Sequence, residues 1–192
     1  MDSIISFDTM PIVNPVLVYD QLSDSVFPQP LLGETFILRR EGVSIDLRSS
    51  VHGKLSGNGM FFLTNTRLVF YRSGASSKRD FLAYQINLQE IRNPKYEQPV
   101  FGANYLKGDC APQHPGDPGD SWRISFNKGG SGTFLPALND LLNRSARALS
   151  TPTAVRTWVV PSTNVGYIDP SDPSIVYIQQ PVPGHVFAPP AE

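Results

Sequence analysis

The sequence predicts a mainly β protein, an antiparallel sandwich or barrel of about seven strands closed by a C-terminal α-helix and followed by a proline-rich tail. Three observations support this fold class. Short runs rich in β-branched and aromatic residues alternate with turn residues from Glu34 onward, one amphipathic helical pattern follows them, and prolines then accumulate. With 40% hydrophobic residues, the composition is that of a folded domain with a core.

The chain divides into three segments by composition. Residues 1–33 carry prolines among short apolar runs, which predicts an extended lead-in. Residues 34–150 hold the strand and helix patterns and are expected to form one domain. Residues 151–192 hold eight of the 18 prolines and no lysine, so this tail is expected to be partly disordered.

The predicted strands are short and evenly spaced, as in a meander. The clearest hairpin joins residues 60–64 to 68–71 through Asn65-Thr66-Arg67, and Gly57-Asn58-Gly59 before it reads as another turn. Prolines and glycines make residues 109–120 a long exposed loop. The candidate strands are residues 35–40, 43–47, 60–64, 68–71, 81–84, 86–91, 105–107 and 123–126.

The helix is predicted from an apolar face that contains Phe134, Leu138 and Leu141, with polar residues elsewhere. Thr133 is the expected N-cap, Pro136 lies in the first turn where a missing N–H costs little, and the helix should end near Ser150. Short strands followed by one closing helix are the element order of a pleckstrin-homology-like fold.

One segment, residues 98–108 (QPVFGANYLKG), resembles a signature of the WW-domain-binding protein 2 family. Members of that family carry a GRAM domain with a pleckstrin-homology-like fold, and residues 53–70 and 126–134 agree with it in order. Extended backbone before Pro99 and free dihedrals at Gly102 favour a constrained loop and strand over a direct ligand site. Phe101, Tyr105 and Leu106 are expected to contact the core. The signature residues are Gln98, Pro99, Val100, Phe101, Gly102, Ala103, Asn104, Tyr105 and Gly108.

The resemblance implies a non-enzymatic adaptor, similar to a GRAM-domain transcriptional coactivator, that binds protein partners through domain and tail. Relatives typically present Pro-Pro-x-Tyr to WW domains, but this chain has none, which puts WW binding in doubt. Any association with chromatin would then be indirect. The tail motif looks like that of fungal-type relatives and supplies the candidate partner-binding residues Tyr167, Asp169, Pro170, Pro173 and Tyr177.

The alternative function is an adaptor that binds phosphoinositide or membrane lipid, as GRAM and pleckstrin-homology-like domains are known to do. Basic residues on or beside the early strands would supply the headgroup contacts if they converge in three dimensions. Scattered solvated charges are the competing interpretation. The candidate headgroup residues are Arg39, Arg40, Lys54, Arg67, Arg72, Lys78 and Arg79.

Catalysis, cofactors and direct nucleic-acid binding find little support in the sequence. The three histidines are far apart, and Cys110, with His114 four residues on, lacks a third catalytic group and reads as a free loop thiol. Residues 129–132 read as a turn before the helix in preference to a phosphate site. The formal net charge of -1 does not favour sequence-specific binding to nucleic acid.

The same features predict where the protein resides. A single cysteine suits a reducing compartment, and no apolar run approaches the length of a membrane span. We therefore expect a protein of the nucleus, the cytoplasm or both that is neither secreted nor transmembrane.

Overall fold

The structure, a computed structural model, describes residues 12–20, 24–74, 81–112, 119–150, 167–169 and 172–177. A 3-10 turn (Leu88–Glu90) precedes the eighth strand, and helix α1 (Ser131–Ser150) follows the tenth. The strands are β1 (Ile12–Val13), β2 (Leu17–Asp20), β3 (Ser25–Pro28), β4 (Phe36–Ser49), β5 (Gly53–Thr64), β6 (Arg67–Arg72), β7 (Ala83–Asn87), β8 (Ile91–Glu97), β9 (Tyr105–Cys110), β10 (Ser121–Phe126), β11 (Tyr167–Asp169) and β12 (Asp172–Tyr177).

Antiparallel pairing joins the strands into one curled sheet in the order β1-β7-β6-β5-β4-β10-β9-β8. Strands β4 to β10 and α1 confirm the predicted fold class, a mainly β half-barrel closed by a C-terminal helix. Strands β2 and β3 form a separate hairpin, while β12 pairs with β11 and β4. Among the described residues, no helix is long and apolar enough to cross a membrane.

The predicted hairpin of residues 60–71 is confirmed, with Leu63 opposite Leu68 and Phe61 opposite Phe70. The Thr64 hydroxyl accepts hydrogen bonds from the amides of Thr66 and Arg67 and so closes the turn. Its first arm is longer than predicted, because β5 begins at Gly53. The separate predicted runs 35–40 and 43–47 are one strand, β4, with an irregularity between Glu41 and Val43.

Two predicted features of the chain trace are wrong. Gly57-Asn58-Gly59 is not a turn but part of β5, where Gly59 is needed because a Cβ there would lie 2.0 Å from the Tyr71 carbonyl oxygen. Residues 86–91 are not one strand, since β7 ends at Asn87 and the 3-10 turn follows. A glycine that allows close backbone contact within a strand thus has the same sequence pattern as a turn.

The helix closes the sheet through an aromatic cluster. The Phe134 ring lies 4.4 Å from Phe61 and 5.5 Å from Phe126 between centroids, and Leu138 and Leu141 are buried beside it. The helix begins at Ser131, so the prediction that Thr133 is its N-cap is wrong. Burial of this apolar face is what holds α1 against the sheet.

The lead-in also packs on the sheet, on the other side of the β4–β5 hairpin. Val18 and Phe27 form a second buried cluster with Phe36 and Phe62. β1 pairs with β7, so residues 12–28 contribute strands to the folded unit. The division of the chain at residue 34 stays a prediction.

Candidate functional site

Five exposed cations share the outer face of strands β4, β5, β8, β9 and β10. The strands alternate, so their inner residues such as Leu106 and Ile124 are buried while the intervening positions face outward. Together the outward residues line an open depression of about 590 Å³. We call these five residues the cationic face: Arg48, Lys54, Lys95, Lys107 and Arg123.

The sheet register brings like charges together on this face. Arg123 lies opposite Lys107, and Lys107 lies opposite Lys95, so three cations occupy neighbouring positions across three strands. Directly opposed like charges destabilise a sheet, and a bound anion would relieve that repulsion. The depression contains only two carboxylates, Asp46 and Asp109, against the five cations. The face is therefore suited to a negatively charged ligand or partner.

Tyr105 positions one of these cations. The guanidinium carbon of Arg123 lies 3.7 Å from the centre of the Tyr105 ring, a cation–π contact, and the Lys107 ammonium lies 6.0 Å from it. Lys107 is also 3.3 Å from the Glu97 carboxylate, at a position where both side chains are partly exposed. The aromatic ring of Tyr105 thus limits the freedom of the Arg123 side chain before any partner binds.

The β8–β9 loop, which begins with the predicted signature, projects two apolar side chains into solvent. Val100 is 92% exposed and Phe101 is 91% exposed, so the prediction that Phe101 contacts the core is wrong. Gly102 adopts a φ of 101° that favours glycine, and this lets the loop reverse. We call Val100 and Phe101 the hairpin tip. The tip lies at the end of the two strands that carry Lys95 and Lys107.

The rest of the signature is structural. The Phe126 amide donates to the Asn104 carbonyl at 2.8 Å, which ties the loop to β10. Leu106 is buried as predicted, Tyr105 and Ala103 are partly buried, and Gln98 and Pro99 are exposed. Gly108 lies under the Trp122 ring, where a Cβ would be 2.6 Å from Cζ2. A constrained loop and strand thus carry an exposed apolar tip.

The five predicted headgroup residues that the structure describes do not share one exposed surface. Two of them are buried and engaged within the protein, which rules them out as headgroup contacts. Arg40 is 0% exposed and donates to the Lys128 and Gly129 carbonyls. Arg67 forms a bidentate pair with the Glu34 carboxylate at 2.7 and 2.8 Å.

Of the three others that the structure describes, only Lys54 belongs to the cationic face. Arg39 lies 3.3 Å from the Glu41 carboxylate, and Arg72 is partly buried beside Gly57. Lys78 and Arg79 lie outside the described residues. The sequence reasoning missed Arg48, Lys95, Lys107 and Arg123. The alternation of Arg48, Lys107 and Arg123 with buried neighbours could have revealed these three, whereas Lys95 has no buried residue beside it in β8.

The prediction that Cys110 is a loop thiol is wrong, because Cys110 is a buried residue of β9. Its sulfur lies 4.0 Å from the Tyr84 hydroxyl, which donates to Asp120 at 3.0 Å. Burial raises the pKa of the Cys110 thiol to about 12, so it is protonated and unreactive at neutral pH. His114 lies outside the described residues.

Among the described residues, the structure supports neither a metal centre nor a phosphate cradle before α1. Within the described ranges, no three His, Cys, Asp or Glu side chains group as a metal site requires. Gly129 and Gly130 have positive φ, and the Arg40 guanidinium donates to the Gly129 carbonyl. Gly129 and Gly130 form the turn into α1, whereas Ser131 and Gly132, which the sequence predicted to precede the helix, are its first two residues.

The tail motif forms a hairpin whose second strand lies against β4. Tyr167 is opposite Tyr177, and Asp169 is opposite Asp172. Ile175 pairs with Arg40 and Val176 pairs with Arg39. Pro173 lies within β12, while Pro170 lies outside the described residues. The tail thus places its two candidate tyrosines side by side, next to the domain.

Among solved structures, the N-terminal PH domain of Vps36 aligns with a TM-score of 0.51 and 17% sequence identity. The alignment covers 69% of this chain and 96% of that domain. The described part of this chain has a pleckstrin-homology-like fold. No protein-family model matches the chain.

Two curated proteins are similar in sequence. A UPF0664 stress-induced protein of Schizosaccharomyces pombe is 35% identical over 88 residues, which are 45% of this chain and 49% of that protein. WW domain-binding protein 2 of Rattus norvegicus is 26% identical over 125 residues, which are 64% of this chain and 42% of that protein. The chain therefore spans about half or less of the length of each relative, and the relationship is distant.

Proposed function

We propose that this chain is a non-enzymatic adaptor of the WW-domain-binding protein type, which recruits protein partners with its pleckstrin-homology-like domain and its tail. The observation that carries the proposal is the exposed hairpin tip at the end of the strands that bear the cationic face. Large apolar side chains are seldom left almost fully exposed in pairs unless they are buried on binding. The name of the rat relative, a protein that binds WW domains, agrees with this class of function.

The chemistry of the two surfaces defines the partner. Phe101 can fill an apolar pocket, while Lys95, Lys107 and Arg123 attract carboxylates around it. Such an arrangement is suited to an acidic protein segment that carries a pocket for an aromatic ring. By analogy with the resembled coactivators, the partners would be transcription or signalling factors in the nucleus or cytoplasm.

The proposal is tested by affinity capture with the full chain from the cell that makes it. The variant Val100→Ser/Phe101→Ser removes the tip, and Lys95→Glu/Lys107→Glu reverses two charges of the face. Leu32→Ser is the matched control for the tip, because Leu32 is an equally exposed apolar residue at 106% and lies elsewhere. Arg144→Glu is the charge control on the exposed side of α1.

Protein partners that are captured by the wild type and both controls, but lost from both site variants, are the expected result. For a purified partner, loss of Phe101 should weaken binding by about 5- to 30-fold, as for an interface anchor. Capture that is unchanged in both site variants would reject the cationic face and tip as the binding surface.

Membrane binding is the second candidate, and the same two features favour it. An apolar tip can enter the bilayer interface while each nearby cation contributes about 1 kcal/mol at an anionic surface. Vesicle flotation separates the two functions. Flotation with phosphoinositide vesicles that is lost in the tip variant, with no loss of protein capture, would favour the lipid-binding adaptor.

The tail is expected to bind WW domains weakly or not at all, because the chain has no Pro-Pro-x-Tyr. We expect its recognition to depend on Tyr167 and Tyr177, with Asp169, Pro170 and Pro173 shaping the turn between them. A peptide of residues 164–181 is titrated against a WW-domain panel and captured partners. Tight WW binding, or partner binding that survives Ala at both tyrosines, would contradict this part of the proposal.

A further inference from the structure

The first half of β4 has an edge that none of the described strands β1 to β10 covers. β5 pairs with β4 along its whole length, but on the other side β10 ends with Phe126 opposite Val43. The Asn127 amide still donates to the Gly42 carbonyl at 3.0 Å, and then the chain turns into α1. Gly42, with a φ of 68°, lies at the irregularity where β4 parts from β10. Residues 36–41 therefore present backbone groups to a further strand.

This edge is shaped by the domain itself. The Arg40 guanidinium donates to the carbonyl of Lys128 at 2.9 Å and to that of Gly129, which fixes β4 to the start of α1. Arg39 is 3.3 Å from the Glu41 carboxylate, and Phe36 pairs with Thr64 of β5. These contacts lie within the domain.

The tail strand β12 occupies this edge with few paired positions. Ile175 lies opposite Arg40 and Val176 lies opposite Arg39, in antiparallel register. β11 then pairs with the other side of β12, with Ile168 opposite Val176. Unpaired strand edges readily accept an extended peptide, a mode of recognition in which the backbone supplies most of the binding.

We propose that residues 36–41 of β4 form a β-augmentation site, and that residues 172–177 are its ligand in cis, exchangeable for an extended segment of a partner protein. The competing segment must add antiparallel to β4 and offer backbone donors at the two paired positions. The proposal does not rest on the cationic face or the hairpin tip. It adds a second binding site whose availability is controlled by the tail.

The short connection between α1 and β11 sets the strength of this control. Residues 151–166 join Ser150 to Tyr167, a tether that gives an effective concentration on the order of 1 mM. If the free segment binds the edge with a Kd of about 100 μM, the docked tail weakens a competing peptide by about tenfold. A partner therefore meets a largely occupied but exchangeable site.

The test uses the full chain and a fluorescent peptide of residues 167–178 as the probe. In the variant Ile175→Pro/Val176→Pro, the strand loses its donors toward both neighbours, because alternate amides of a strand face opposite edges. The matched control is Gln180→Pro, which lies beyond β12. Fluorescence anisotropy measures probe affinity, and hydrogen exchange measures protection of residues 37–41.

We expect the Ile175→Pro/Val176→Pro chain to bind the probe about tenfold more tightly than wild type and Gln180→Pro. It should also lose exchange protection at those amides of residues 37–41 that face β12, while the amides that face β5 stay protected. A probe carrying the same two prolines should bind none of the three chains. Equal probe affinity in all chains, or unchanged protection at residues 37–41, would overturn the proposal. Dimerisation of the wild type that the two prolines abolish would also overturn it, because the ligand would then come from a second copy.

Discussion

Gly108 provides a sharp test of why the signature segment contains glycine. Its Cβ, if present, would lie 2.6 Å from Cζ2 and 3.1 Å from Cε2 of Trp122, and 3.0 Å from the Arg92 carbonyl oxygen. The indole is 2% exposed and cannot swing away without opening the core. Gly108→Ala should therefore cost about 1–3 kcal/mol of folding free energy through overpacking.

A double-mutant cycle isolates this contact. Trp122→Phe removes the ring atoms that a Cβ at position 108 would strike, so Gly108→Ala should cost less in that background, where the Arg92 carbonyl oxygen at 3.0 Å is the close contact that remains. Gly132→Ala is the control, because Gly132 is exposed in the first turn of α1 with no atom within 4 Å of the added Cβ. That change should be neutral or stabilising by up to about 1 kcal/mol.

Urea denaturation at fixed temperature measures all five chains, wild type included, with the slope of the transition as a check that the unfolded state is unchanged. A destabilised Gly108→Ala protein whose loss is partly recovered with Trp122→Phe is the expected result. Wild-type stability of Gly108→Ala, or an equal loss with Phe at position 122, would refute the steric reasoning and leave backbone conformation as the reason for glycine.

Three further predictions follow from buried side chains, each measured by thermal or urea unfolding. Leu138→Asp places an unpaired carboxylate beneath α1 at a position that is 1% exposed, and should cost about 4 kcal/mol or more. Asn139→Asp on the exposed side should change stability by less than about 0.5 kcal/mol. Equal melting of the two variants would show that α1 is not docked there. Cys110→Ala should cost about 1 kcal/mol by leaving a small cavity while partner binding is unchanged, and lost binding would contradict a purely structural thiol. Glu90→Gln should stabilise the protein above pH 7. Burial raises the pKa of the Glu90 carboxyl to about 7. The stability that the protonated carboxyl contributes is therefore complete below about pH 4.5 and is lost as the pH rises to about 7. The gain should be on the order of 1 kcal/mol at pH 8 and vanish at pH 4, and a gain of the same size at both pH values would exclude ionisation as its cause.

Local patterns were enough to predict the fold class and its most regular parts. The hairpin from Met60 to Tyr71 has strong β formers on both arms and an Asn-Thr turn, so neighbouring residues alone specify it. The helix is equally local, since its apolar positions repeat with the period of a helix and its end near Ser150 precedes a proline. The resemblance of residues 98–108 added the expectation of a pleckstrin-homology-like fold, which the structure supports.

Burial could not be predicted where it depends on residues far apart in sequence. Arg40 and Arg67 look like surface cations in the sequence, but the first fixes the start of α1 and the second binds Glu34. The same is true of Cys110. The glycines and prolines that follow it suggest a loop, but the packing of the sheet buries it at the end of β9. In each case the partner that decides the environment is brought there by tertiary packing.

By itself, the sequence determined that this protein is a mainly β domain with one closing helix, since strand and helix periods are set by neighbours along the chain. Only the tertiary structure decided which charges act together. Lys95, Lys107 and Arg123 come from three separate strands and become adjacent through the sheet register alone. The same is true of the β4 edge that receives residues 172–177, because an edge exists only where folding leaves a strand without a neighbour.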